Sequence, residues 1–320
     1  MPMMSNPIVM ALAPVFFVLL LGYAAGRVRI VDNHHVDGLN ALVMDFALPA
    51  SLFAATASAT RSQMLEQAPL FLVFGLTMLL LYVGWYVAAR AFSKVSRSDA
   101  SLQALTIGFP NLAGVGLPIV ASILGPNGTV PVAVALASGS ILISPLTLIV
   151  VEMSASKAHG TEMSARQVLT AVRRALTKPV VLAPALGILL ALSGVELDAL
   201  AHACLSLIGN AAAGVALFLT GLILSAQSFE LDWKVVAATG AADIIRPLLA
   251  VAVVYFIPIS PEAAKTAILL AAVPSGFFGI LFAVNYRLDS ATAGSMVIAS
   301  TGFSIATMAI AIAVLFSNQA

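Results

Sequence analysis

The sequence predicts an all-α polytopic membrane protein: about ten transmembrane helices in two inverted five-helix repeats, with crossed discontinuous helices 4 and 9. Three observations carry this reading. The chain is 61% hydrophobic and 9% charged, with a mean hydropathy of +1.05, a balance no soluble domain of this length shows. Its basic residues alternate between loops. Its two halves share rare residues in register.

Apolar runs cover 6–26, 37–58, 68–92, 101–124, 130–153, 179–194, 200–226, 234–257, 262–284 and 291–316. Each lies near the ~20 residues a bilayer requires, the sixth falling short. The first run has no Lys or Arg before it, is followed by Arg27 and Arg29, and shows no small-residue cleavage site. It reads as a retained helix rather than a signal peptide. The chain divides into a first five-helix repeat (1–155), a cytoplasmic basic loop (156–178) and a second repeat (179–320).

Arg27, Arg29, Arg90, Lys94, Arg97, Lys157, Arg166, Arg173, Arg174, Lys178, Lys234 and Arg287 fall in odd-numbered loops. Only Arg61 and Lys265 fall in even ones. Positive charge stays in the cytoplasm, so both termini are expected outside the cell. The net charge of +1 gives no reason to expect nucleic acid as a partner. Cys204 sits alone in an apolar run and reads as a small core residue.

Pro14 and Pro179, Gly22 and Gly187, Asp45 and Asn210, and Phe53 and Phe218 each stand 165 residues apart. Pro110 and Pro274, Leu117 and Leu281, and Ser140 and Ser304 stand 164 apart. An odd number of spans per half makes the second repeat enter the membrane inverted. The fourth run reads IGFPNLAGVGLPIV and its partner, the ninth, LAAVPSGFFGILFAV. Proline removes a backbone donor and crowds the preceding turn, and glycine admits backbone angles other residues avoid. Matched breaks at membrane depth are tolerated where protein or a water-filled cavity covers them. They predict a midplane site made by Asn111, Gly114, Gly116, Pro118, Pro274, Ser275 and Gly276, with Gly108 and Gly279 among the gating glycines.

Ionisable groups inside spans are functional candidates. Asp45, expected to be buried mid-span, reads as a proton or sodium site, with Asn210 as its repeat partner in ion coupling. Arg246 has three readings: it holds a substrate carboxylate, it pairs with Asp243 three residues earlier, or it snorkels to the interface. His34 and His35, beside a basic loop, read as solvated. Thr301, Ser304, Ser138 and Ser140 read as helix-packing residues.

Residues 111–118, NLAGVGLP, resemble the Asn-x-Gly-x-x-Gly-x-Pro signature of the auxin efflux carrier family, with Ala113 where the family usually has Gly. LNALVMDFALPASLF (39–53) and VPSGFFGILFA (273–283) resemble that family's second and ninth helices. The resemblance covers essentially the whole chain. It implies a fold similar to bile-acid sodium symporters and sodium/proton antiporters, with a scaffold part and an elevator-like transport part. The short central loop resembles bacterial members, and Pro274 to Gly279 looks most like the malonate-carrier branch. The resemblance implies a bacterial inner-membrane carrier of a small organic anion, a dicarboxylate such as malonate, with no cofactor beyond a coupling ion, sodium or proton. A homodimer is expected, with AAAGVA (211–216) offering a small-residue face for close approach. A cation antiporter on the same plan ranks second. No His-Glu-x-x-His, Gly-x-Ser-x-Gly or paired catalytic aspartates occur, so no enzyme is expected.

Overall fold

The computed structural model describes residues 7–158, 166, 169–170, 173, 176–286 and 288–316. Most of the basic loop 156–178 therefore lies outside the described residues. We number the helices α1 Pro7–Arg27, α2 Asp37–Ala57, α3 Arg61–Phe92, α4 Arg97–Gly108, α5 Leu112–Leu124, α6 Thr129–Ala158, α7 Pro179–Ser193, α8 Ala199–Ala226, α9 Trp233–Phe256, α10 Pro261–Ala271, α11 Phe278–Asn285 and α12 Ala291–Leu315. No strand longer than an isolated bridge occurs among the described residues.

Seven of these helices are long and apolar enough to cross a membrane: α1, α2, α3, α6, α8, α9 and α12. α5 and α7 are shorter apolar helices. The fourth expected span is thus two pieces, α4 and α5, and the ninth is also two, α10 and α11. The breaks fall at Phe109–Asn111 and Ala272–Phe277. Phe109 is extended (φ −102°, ψ 100°), as expected of a residue before proline.

Local chemistry fixes the ends. Ser96 accepts from the Asp99 N–H at the start of α4, and Ser260 accepts from Ala263 N–H at the start of α10. Asp198 and Asp232 cap α8 and α9 in the same way. Three helices contain a π turn: Leu42–Ala47 in α2, Leu112–Gly116 opening α5, and Ala241–Ile245 in α9. Each ends two residues before a proline, at Pro49, Pro118 and Pro247. The proline ring clashes with the carbonyl four residues back, and the wider π spacing moves that carbonyl aside.

Packing sorts the helices into two groups. In one, α1 lies along the second half of α8, and α7 along the second half of α2. In the other, α3, α4, α6, α9, α10 and α12 pack around the two breaks. The first group meets itself reciprocally. Gly22 lies against the Phe218 backbone, so a Cβ there would collide with it, and Gly187 lies against Phe53 and Thr56. Gly22 with Gly187 and Phe53 with Phe218 are two of the matched pairs, each glycine touching the phenylalanine of the opposite half.

The outer faces are apolar. Phe17 is 67% exposed, Leu207 84% and Tyr255 85%, a surface suited to lipid rather than water. One expectation changes here. Cys204 is exposed, because its face of α8 turns outward rather than into the core. In the small-residue run 211–216, Ala212 and Ala216 are buried inside the chain, while Ala211 and Gly214 are exposed.

Candidate functional site

The two breaks meet as backbone. Pro110 and Ser275 form an antiparallel bridge, and Asn111 N–H donates to the Pro274 carbonyl at 2.8 Å. These are reciprocal, because Pro110 matches Pro274 and Asn111 matches Ser275. Gly276 N–H donates to the carbonyls of Phe109 (3.0 Å) and Thr106 (3.1 Å). A Cβ on Gly276 would run into the Phe109 carbonyl, so glycine is required by close approach. Asn111 is buried and caps α5, its side chain accepting from Gly114 N–H at 3.0 Å. Its Nδ2 reaches Thr220 Oγ1 of α8 at 3.5 Å. The structure therefore brings Asn111, Gly114, Gly116, Pro274, Ser275 and Gly276 into one buried region, with Pro118 one turn along α5.

A broken helix leaves carbonyls without partners at its C-terminal end, and the end carries roughly half a negative elementary charge. Arg246 answers both ends at once. Its Nη1 donates to the Ile107 carbonyl of α4 at 2.5 Å, Nε to Ala271 of α10 at 2.8 Å, and Nη2 to Val273. The side chain is fully buried. A planar guanidinium that stays charged suits carbonyls converging from two helices. This corrects two of the sequence readings. Arg246 does not reach the interface, and no ion pair with Asp243 forms within contact distance among the described residues, since its donors point to the break. Asp243 instead accepts from Ser300 Oγ on α12 at 2.7 Å, and Ser300 Oγ in turn accepts from Ser275 N–H at 2.8 Å.

A cavity of about 650 Å³ opens between the two packing groups. α2 supplies Asp37, Asn40 and Asp45, the start of α7 supplies Lys178, and α8 ends in Ala226 and Gln227 on its wall. Across from them stand Ser140 and Ser144 of α6, Phe278 and Phe282 of α11, and Asp289. The Lys178 ammonium lies 5.3 Å from the centre of the Phe282 ring, within range of a cation–π contact. The cavity nears the two breaks at Phe278, whose ring lies 4.9 Å from Phe109 and 5.5 Å from Phe277.

Asp45 is not a buried carboxylate. It is exposed on the cavity wall, because the face of α2 that carries it opens on the cavity rather than against another helix. Asn210 is also exposed, at the turn between the two halves of α8. Of the residues predicted from sequence, Asp45 lines this cavity, while the break residues and Arg246 do not. His34 lines it too, and His35 pairs with Asp32 at 2.7 Å in the loop before α2.

Sequence reasoning missed Ser300, Thr220 and Lys178. Ser300 sits beside Thr301 in an AST run that reads as packing. Lys178 reads as one more loop cation, although Pro179 right after it marks a helix start and hence the membrane edge.

Residues 7–312 match the family described as Membrane transport protein. Over 293 residues the chain is 28% identical to the Uncharacterized transporter YfdV of Escherichia coli (strain K12), covering 91% of this chain and 93% of that protein. It matches the proteins of that name in Escherichia coli O157:H7 and Shigella flexneri equally. With its apolar spans and paired helix breaks, the chain belongs to the membrane transport protein family, the auxin efflux carriers, and is a membrane transporter.

Proposed function

We propose that the protein is a secondary carrier of a small organic anion, with dicarboxylates such as malonate the first candidates, working by alternating access around the crossed helix breaks. The observation that carries this is the convergence of both breaks on one guanidinium, with the cavity approaching them as far as Phe278. Arg246 neutralises the negative C-terminal ends of α4 and α10. That leaves the N-terminal ends of α5 and α11, which favour anions, as the crossing's remaining field.

Ten spans in two inverted repeats fit the reciprocal contacts, Gly22 on Phe218 with Gly187 on Phe53, and Pro110–Ser275 with Asn111–Pro274. The α1, α2, α7, α8 group would be the scaffold, and the remaining helices the part that moves past it. The cavity between them is the seam along which such motion opens and closes a path. The basic-loop asymmetry supports a cavity open to the cytoplasmic face of a bacterial inner membrane, with both termini outside.

One observation favours the second reading, a sodium/proton antiporter or sodium-coupled symporter. Asp37, Asp45 and Asp289 on the cavity wall outnumber Lys178. We rank it second because the carbonyls that would coordinate a cation at the crossing are already held by Arg246.

The test uses a Cys204→Ser background with single cysteines at Ser144 and Gln227, on opposite walls of the cavity. Protection of both from a water-soluble thiol reagent by malonate supports the reading. Unchanged labelling at saturating malonate, with protection by sodium, would replace it with the second.

A further inference from the structure

Asp45 lies open on the cavity wall, but a second carboxylate is enclosed beside the crossing. Asp243 is 1% exposed. Its Oδ1 accepts from Ser300, whose own oxygen accepts from the Ser275 N–H in the second break. Its Oδ2 has no partner among the described residues, and neither has the buried Ser275 Oγ. An ionised carboxylate with one oxygen bare in the protein interior is costly, and a proton on that oxygen removes the cost.

The surroundings supply one permanent charge. Arg246 acts on Asp243 electrostatically, but its hydrogen bonds go to Ile107, Ala271 and Val273. α12 carries no charged residue between Ala291 and Leu315. α4 carries Arg97 and Asp99 in its first turn, at the far end from Ile107. α10 carries Glu262 and Lys265 near its start. α3 offers Tyr82, bonded to Ser101, and Tyr86. On α9 itself, Lys234 and Tyr255 stand near the two ends.

Resting on the carrier reading above, we propose that Asp243, rather than Asp45, is the group that binds the coupled proton. A proton from water forms an O–H bond at Oδ2, turning the carboxylate into a neutral acid, and returns to water when the acid ionises. With Asp243 ionised, its charge opposes an anion approaching the break. With Asp243 neutral, the N-terminal ends of α5 and α11 face the substrate with no buried carboxylate opposing them. Proton and anion thus favour each other, and by linkage each raises the other's affinity by the same factor. Ser300 ties the titrating oxygen pair to the Ser275 backbone, so the proton is read at the break itself.

The test has two arms. In liposomes with an internal pH dye, a malonate gradient should drive proton movement in wild type and in Asp45→Asn, and none in Asp243→Asn, which should still exchange malonate for malonate. Proton movement surviving in Asp243→Asn overturns the proposal and leaves the carrier reading intact. Failure of wild type to move malonate sinks the carrier reading instead. The second arm needs no transport. Infrared titration of the purified protein should show a protonated-carboxyl stretch on acidification that is lost in Asp243→Asn. In Ser300→Ala, which keeps the carboxylate, that stretch should rise in frequency because Oδ1 has lost its donor. Spectra that are the same in all three proteins overturn the proposal, even if Asp243→Asn assembles poorly.

Discussion

Replacing Arg246 by methionine is the perturbation that separates a structural guanidinium from a substrate ligand. The change keeps much of the apolar stem and removes every donor. Three buried carbonyls, those of Ile107, Ala271 and Val273, then lose their partner together. Each unsatisfied buried group costs about 1–3 kcal/mol, partly relieved by relaxation. Asp243 also loses its nearby opposite charge, which adds to the cost of keeping that buried carboxylate ionised. We take about 3–5 kcal/mol as the net loss, because the same relaxation serves both effects. At about 2–4 °C per kcal/mol for a chain of this size class, the apparent midpoint should fall by about 10 °C. Arg246→Lys keeps the charge on a single compact ammonium without the planar fork, and should lose about 1–2 kcal/mol. Arg246→Met with Asp243→Asn should be more stable than Arg246→Met alone, because no carboxylate is left uncompensated. The assay is thermal unfolding in detergent at one scan rate, read by tryptophan fluorescence, since membrane proteins of this kind seldom refold on cooling. If Arg246→Met unfolds with wild type but no longer binds malonate, the guanidinium belongs to the substrate and the reasoning fails.

Three further outcomes follow from the geometry. Gly276→Ala should lower stability by about 1–3 kcal/mol and weaken transport, because the new Cβ meets the Phe109 carbonyl; a variant as stable and active as wild type would contradict the close approach. Asp45→Asn should leave the unfolding midpoint unchanged and raise the apparent affinity for an anion, while Lys178→Ala lowers it, both read from concentration-dependent uptake. In the loop before α2, Asp32 is held down to about 2, chiefly by the His34 N–H and then by the His35 side chain. His35 is raised by its hydrogen bond to Asp32. A raised histidine stabilises the loop below its ordinary range, and that contribution is lost as pH climbs through its folded value. A carboxylate held low contributes above the ordinary aspartate range and loses its effect as pH falls toward 2. NMR titration should show His35 above the ordinary histidine value and return it there in Asp32→Asn.

What could be read from the sequence was what composition and rare residues encode. Apolar runs marked the long apolar helices, seven of them long enough to cross a membrane, and Pro110, Asn111, Pro274 and Gly276 marked both breaks. The three prolines that follow π turns were visible, but not their effect. In LVMDFALP and GAADIIRP the aspartate stands four residues before the proline, where the displaced carbonyl must lie. That shared spacing flags Asp45 and Asp243 equally, and the packing around them then separates the two. One helix face opens on the cavity, and the other faces Ser300. Arg246 was legible as an outlier, but its partners lie 25 to 139 residues away along the chain, a distance no local pattern spans.

The breaks are proposed to form an alternating-access site for an organic anion. Counterflow tests it most directly: vesicles preloaded with unlabelled malonate, and labelled malonate added outside. An alternating-access carrier gives saturable, transient accumulation of label, competed by malonate analogues and absent in Gly276→Ala vesicles. Label that enters linearly with concentration, or not at all while the same vesicles exchange sodium for protons, would contradict it.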